Sequence, residues 1–115
     1  MKNKITINFK SVSHCLMEVW INDSCCFNGA VQNCNLYFDM AQRNQLTIKF
    51  THVSGSIEIE EIFYNNLSIG HFIYQGMFVK KGSDQLVQRT HIDTEGDWMY
   101  SFDQDLATQI IKANT

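Results

Sequence analysis

The chain predicts an all-β fold: an antiparallel β-sandwich, jelly-roll-like, with a short C-terminal helix. Three observations carry that reading. Apolar and polar residues alternate with period two in segment after segment, as strands with one buried face require. β-Branched and aromatic residues are dense, which suits a pleated, half-buried surface. Short turn signals, Asn-Asp, Asn-Gly and Asn-Asn, separate the alternating runs at the spacing of small sandwiches.

The elements follow in order. In Lys4–Lys10, Ile5, Ile7 and Phe9 share one face and Thr6 and Asn8 the other. In "CLMEVWI", Cys15, Met17, Val19 and Ile21 line up, while Leu16, Glu18 and Trp20 face away. Asn22-Asp23 then makes a tight hairpin turn, since both residues tolerate left-handed backbone angles. A third strand runs through Ser24–Phe27 and ends at Asn28-Gly29. Cys34–Phe38 reads as a fourth. "DMAQRNQ" is a polar bridge with room for one helical turn, and Gln45–Thr51 is a strand with Leu46, Ile48 and Phe50 inward.

The next stretch, "IEIEEIFYNNLSIGHFIYQG", loses its rhythm. Ile57 and Ile59 alternate with glutamates, then Glu60-Glu61 shifts the register by one. One extra residue is what a β-bulge supplies, together with a bend and added twist. Ile62 and Tyr64 resume the pattern, Asn65-Asn66 turns, and Leu67–Ile69 returns. Gly70 breaks that return, so His71–Tyr74 starts again as a strand in a new direction, extended by Met77–Lys80. The broken rhythm thus reads as a strand bending round a sandwich corner. Lys81–Gly96 is polar and reads as a long loop pinned by Leu86-Val87. Trp98–Phe102 is the last strand. In "DQDLATQIIKANT", Asp103 is a helix N-cap, with Leu106 and Ile110 four apart on one face.

At 115 residues, 44% apolar and 18% charged, the chain is one globular domain, residues 1–115. No apolar run approaches the ~20 residues of a membrane helix. "MKNKITINFK" alternates instead of forming a signal-peptide core, so the expectation is a protein not secreted by that route. The net charge is −3, with no basic cluster beyond Lys80-Lys81, which argues against nucleic acid as a partner. Cys15, Cys25, Cys26 and Cys34 lack the paired spacing of a zinc site and read as reduced, small core or strand-face residues.

No catalytic constellation stands out. His91 and Asp93 have the HxD spacing of facial-triad iron sites, but no His follows to complete the ligand set. Glu58 and Glu60, ~7 Å apart on one strand face, fall in the range of an inverting glycosidase pair. Alternating glutamates are also the ordinary dress of a solvated strand face. The expectation is no enzyme, no cofactor and no bound metal. The aromatics are better candidates. Trp20, Tyr64, Tyr74, Trp98 and Tyr100 could contact a sugar or a partner, since aromatic faces beside Asn and Asp are how sugar-binding sandwiches work. For Trp98 and Trp20 the core of the sandwich is the competing place.

The order "VWINDSCCFNG", "LYFD", "NQLTIKFTH", "IEIEEIFYNNLSI" resembles that of calcium-dependent xylan-binding modules. It is also similar to uncharacterised small β-sandwich proteins of marine tailed phages, cyanophage-like, in which such a segment precedes a variable loop and a terminal aromatic strand like "GDWMYSF". The resemblance spans about Val19 to Phe102. The calcium-binding modules carry an acidic loop between the strands placed here at Gln45–Thr51 and Ser56–Tyr64; in this chain the loop is "HVSGS", without a carboxylate.

The phage-like pattern implies a non-enzymatic virion component: a head-decoration, tail or fibre accessory protein made in the host cytoplasm. It would contact other virion proteins and be present as a homo-oligomer or in many copies. A small sandwich cannot hide all its edge strands, and Leu16, Trp20 and Phe63 lie off the inward face. An apolar contact patch is therefore expected near the Tyr64–Tyr74 hairpin or the Lys81–Gly96 loop. The alternative is a carbohydrate-binding module, with a glycan as partner, acting through Trp20 or Trp98.

Overall fold

The computed structural model of the protein describes residues 2–10 and 14–113. Met1, and Asn114 and Thr115 at the end of the expected C-terminal helix, lie outside the described residues. The elements are β1 (Asn3–Lys10), β2 (Leu16–Ile21), β3 (Ser24–Ala30), β4 (Cys34–Phe38), β5 (Arg43–Thr51), β6 (Ile57–Tyr64), β7 (Leu67–Ser68), β8 (Met77–Lys80), β9 (Leu86–Gln88), β10 (His91–Ile92), β11 (Gly96–Asp103) and α1 (Leu106–Ala113). A 3-10 helix, Gly70–Gln75, precedes β8.

These strands form an antiparallel sandwich. One sheet, five-stranded, runs β10-β6-β1-β4 with β7 also paired to β6; the six-stranded sheet runs β3-β2-β5-β11-β8-β9. The alternation read from the sequence is the burial pattern of the strands. Ile5, Ile7, Val19, Leu46, Ile48, Phe50, Ile57 and Ile59 are all buried between the sheets. An aromatic ladder on β11 completes the core: Trp98 stacks on Tyr100 at 6.3 Å and Tyr100 on Phe102 at 5.9 Å between ring centroids. Phe102 meets Phe38 and Tyr64 edge-on from the other sheet.

The broken rhythm of β6 is a bulge. Against β1, Asn8 pairs with Glu61 and Phe9 with Ile59, so Glu60 is the unpaired extra residue and is exposed. Both flanking runs thereby keep their isoleucines inward. Asn22, Asn65 and Asn66 hold φ of 56°, 49° and 71°, the left-handed angles expected of those turns. Asp103 is not the N-cap of α1: it is the last residue of β11, and Asp105 immediately precedes the helix. The Asp103 carboxylate instead accepts the N–H of Asp105 at 2.9 Å across the turn into α1, which buries Leu106 and Ile110.

Four further local expectations are corrected. Asn28-Gly29 does not end β3, which pairs with β2 as far as Ala30. Residues 39–42 form no helical turn; Asn44 orders them instead, its Oδ1 accepting the Ala41 N–H at 3.0 Å and its Nδ2 donating to the Ala41 carbonyl at 3.0 Å. His71–Tyr74 is not a strand. Gly70, at φ 56°, turns the chain, and Phe72 N–H to Ile69 O and Gly76 N–H to Ile73 O close 3-10 turns. The Lys81–Gly96 loop is shorter than expected, because β9 pairs with β8 through Leu86 and Val87, and β10 pairs with β6. All three residues of β9 are exposed, so no alternation marks it.

Candidate functional site

Sheet register places the outer-face side chains. In the six-stranded sheet, Trp20 on β2 is opposite Thr47 on β5, Thr47 is opposite Met99 on β11, and Met99 is opposite Met77 on β8. All four are half-buried. They form one row across four strands, on the side away from the core. Strands lie ~4.8 Å apart, so Trp20 and Met99 stand roughly 10 Å apart on either side of the short Thr47. Two polar rows flank this one. On one side Glu18, Lys49 and Asp97 are in register. On the other Gln45 pairs with Ser101, and Asn22 joins Gln45 through its backbone N–H (2.9 Å) and side-chain oxygen (2.9 Å).

The surface between these rows is hollowed along β5. A depression of about 490 Å3 is lined by Asn22, Arg43, Gln45, Ser101 and Asp103. A second, about 250 Å3, lies at Trp20, Asn22, Thr47 and Lys49. A third, about 390 Å3, is lined by Glu18, Lys49, Asp97, Lys81 and Glu95. Shared Asn22 and Lys49 join the three end to end. Trp20 is held at the centre. Its Nε1–H donates to Glu18 at 3.2 Å, and Lys49 Nζ lies 5.5 Å from its ring centroid. Lys49 is exposed, so the covered ring face meets a flexible cation and not fixed packing.

The opposite sheet has a different outer face, where side chains bond to one another across strands. Thr6 donates to Asn35 at 2.7 Å, Thr90 donates to Glu58 at 2.6 Å, His91 Nδ1 lies 3.3 Å from Glu58, and Ser68 bonds Glu61. Glu58 is thus committed to Thr90 and His91, and the bulge at Glu60 breaks the alternation on which a Glu58–Glu60 pair depended. His91 and Asp93 serve different partners, Asp93 lying 3.9 Å from Arg89.

Of the five aromatics singled out in the sequence, the structure brings only Trp20 to this groove. Tyr74 is exposed, on the 3-10 helix. Trp98, Tyr100 and Tyr64 are corrected as surface contacts: they are 0%, 2% and 4% exposed. Trp98 points inward because β11 puts Asp97 and Met99 on the outer side, and its Nε1–H is satisfied by the Arg89 carbonyl at 2.8 Å. Burial pushes the Tyr100 hydroxyl up to about 12 and that of Tyr64 upward. Sequence reasoning missed Met77, Thr47 and Met99 as groove residues, and Tyr37, exposed on β4. Pairing of β11 with both β5 and β8 is what reveals the row, and no local pattern encodes it. The four cysteines are free. Cys15 is buried, and Cys34 is pushed up to about 11 by burial, which removes its thiolate at neutral pH.

No protein-family model and no curated protein matches the chain in sequence. Two solved structures are similar in fold. One is described as vCBM60 in complex with galactobiose: it is 7% identical with a TM-score of 0.54, and the match covers 90% of this chain and 98% of that one. The other is a selenomethionine form of vCBM60, described under circular permutation as a link between two families of calcium-dependent carbohydrate-binding modules. It is 6% identical with a TM-score of 0.54, covering 86% and 88%. At these identities the likeness is one of fold: the chain has a β-sandwich of the kind found in carbohydrate-binding modules.

Calcium is the metal that such modules imply, and the residues here do not fit it. Calcium takes 6–8 oxygen ligands, several of them carboxylates. The loop 52–56 offers none, and among the described residues no three His, Cys, Asp or Glu side chains come together.

Proposed function

We propose that the protein is a non-catalytic glycan-binding module whose ligand lies on the outer face of the six-stranded sheet. One observation carries this reading: the short Thr47 sits between Trp20 and Met99, with a polar row on each side. Sugar rings have apolar C–H faces and a polar rim of hydroxyls. A slot with hydrocarbon walls and flanking donors and acceptors complements both. The groove along β5 extends the slot in both directions, which suits an oligosaccharide better than a single sugar. The fold of the two vCBM60 structures supports the same class. The virion role implied by the phage-like pattern draws no support from them, so carbohydrate binding, the alternative of the two expectations, leads.

The test is titration with galactobiose and xylo-oligosaccharides, followed by calorimetry and by NMR of the Trp20 indole, Thr47 and Met99. Binding should shift these three first. Trp20→Ala should weaken binding at least roughly tenfold, as loss of an aromatic anchor does. Absence of binding across the saccharide panel, or shifts confined to Tyr37 or Tyr74, would overturn the proposal.

A further inference from the structure

We infer that the groove binds saccharide without a divalent cation, because an internal ion pair already ties together the loops at its end. This rests on the glycan-binding reading. Glu95, in the turn before β11, connects three segments. Its Oε1 accepts the N–H of His52 in the β5–β6 loop at 3.0 Å, and its Oε2 receives Lys81 Nζ, from the β8–β9 turn, at 3.2 Å. The Lys81 N–H also donates to the Glu95 carbonyl at 2.9 Å. His52 holds a left-handed φ of 54°, so its N–H is aimed by a backbone conformation that few residues adopt.

Both carboxylate oxygens of Glu95 therefore have partners supplied by the chain. The His52 N–H, then Lys81, hold this carboxyl below its ordinary range, which favours its ionised form. The other two carboxylates at this end of the groove do not converge on one ion. Glu18 on β2 and Asp97 on β11 are separated by β5, whose Lys49 stands in register between them. A divalent cation there would sit beside an ammonium group, and its Coulomb repulsion would oppose binding. Glu95, with Lys81 as its counter-ion, thus links the three segments at this end of the groove with groups the chain supplies.

The test measures galactobiose and xylo-oligosaccharide affinity in EDTA and in millimolar calcium chloride, with thermal unfolding in the same two buffers. The expected result is an affinity ratio within about twofold and an unchanged Tm, since a ligand of the native state alone would raise Tm. Loss of binding in EDTA with recovery in calcium would overturn the inference while leaving the glycan reading intact. A Tm that rises with calcium would overturn it as well. If no saccharide binds in either buffer, the glycan reading falls, and the Tm comparison still decides the question of the cation. Lys81→Met supplies a second readout. Amide exchange at His52 should quicken roughly 1.5- to 5-fold, the scale of an exposed pair. Calcium should not slow it again, and slowing by calcium counts against the inference.

Discussion

Trp20 and Trp98 belong to the same sheet and face opposite ways. Trp98 is sealed between the sheets, with its indole N–H on a backbone carbonyl and Tyr100 stacked beside it. Trp20 stands on the outside, its N–H on a carboxylate and a lysine above its ring. Each N–H is satisfied, so hydrogen bonding does not separate them. Their neighbours do. Gly76 clears the space for Trp98: a Cβ at that position would lie 2.0 Å from its ring. Thr47 leaves the surface beside Trp20 open to solvent. One tryptophan works as packing, the other as surface.

That contrast can be broken from the core side first. Trp98→Ala should cost about 3–5 kcal/mol, measured by denaturant unfolding, since it removes a fully buried aromatic ring. Gly76→Ala should cost about 3 kcal/mol by overpacking against the same ring. The two changes touch one site, so they should be non-additive: the added methyl has room once the indole is gone. A double variant whose loss equals the sum of the single losses would show that Gly76 acts through its backbone and not through Trp98.

The ladder next to Trp98 should respond to alkali. Tyr100 has a folded-state value of about 12, raised first by burial and then by Asp103. A group raised in this way contributes stability that is fully present below its unfolded value near 10 and is lost as pH climbs toward 12. Two units correspond to roughly 2–3 kcal/mol. Tyr64 is shifted in the same direction. Tyr100→Phe should flatten the fall in stability between pH 10 and pH 12, and an unaltered slope would place the alkaline sensitivity elsewhere.

The smallest effect on stability belongs to Trp20. Trp20→Ala should change the unfolding free energy by no more than ~1 kcal/mol while removing saccharide affinity. A loss as large as that of Trp98→Ala would make Trp20 a packing residue and end the comparison.

The sequence made the two tryptophans look alike. Alternation names the residues that share a face, and it placed Ile5, Ile7, Ile57 and Ile59 correctly in the core. It cannot say which face of an isolated strand turns inward when both carry large side chains, as in Trp98-Met99-Tyr100. The bulge at Glu60 was legible because a doubled glutamate breaks a long run. The 3-10 helix was not, because "GHFIYQ" is as β-prone as the strands around it and its form depends on Gly70 and the burial of Ile73. The groove was the least legible feature. It depends on β5 lying between β2 and β11, a long-range pairing, and on methionines that carry no chemistry of their own.

The place of β11 has a consequence for how the chain reaches its native state. This strand, Gly96–Asp103, is inserted between β5 and β8 in the middle of the six-stranded sheet, although both neighbours precede it in the chain. Until it arrives, β2–β5 and β8–β9 are separate pieces of sheet, each with an open inner edge, and the ladder of Trp98, Tyr100 and Phe102 is missing from the core. Closure therefore waits on contacts far apart in sequence, which places folding in the slow, millisecond-to-second range of non-local β topologies. On the ribosome, the strands already emerged would present two unpaired edges to their neighbours, a template for strand exchange between nascent chains that persists until the last central strand inserts.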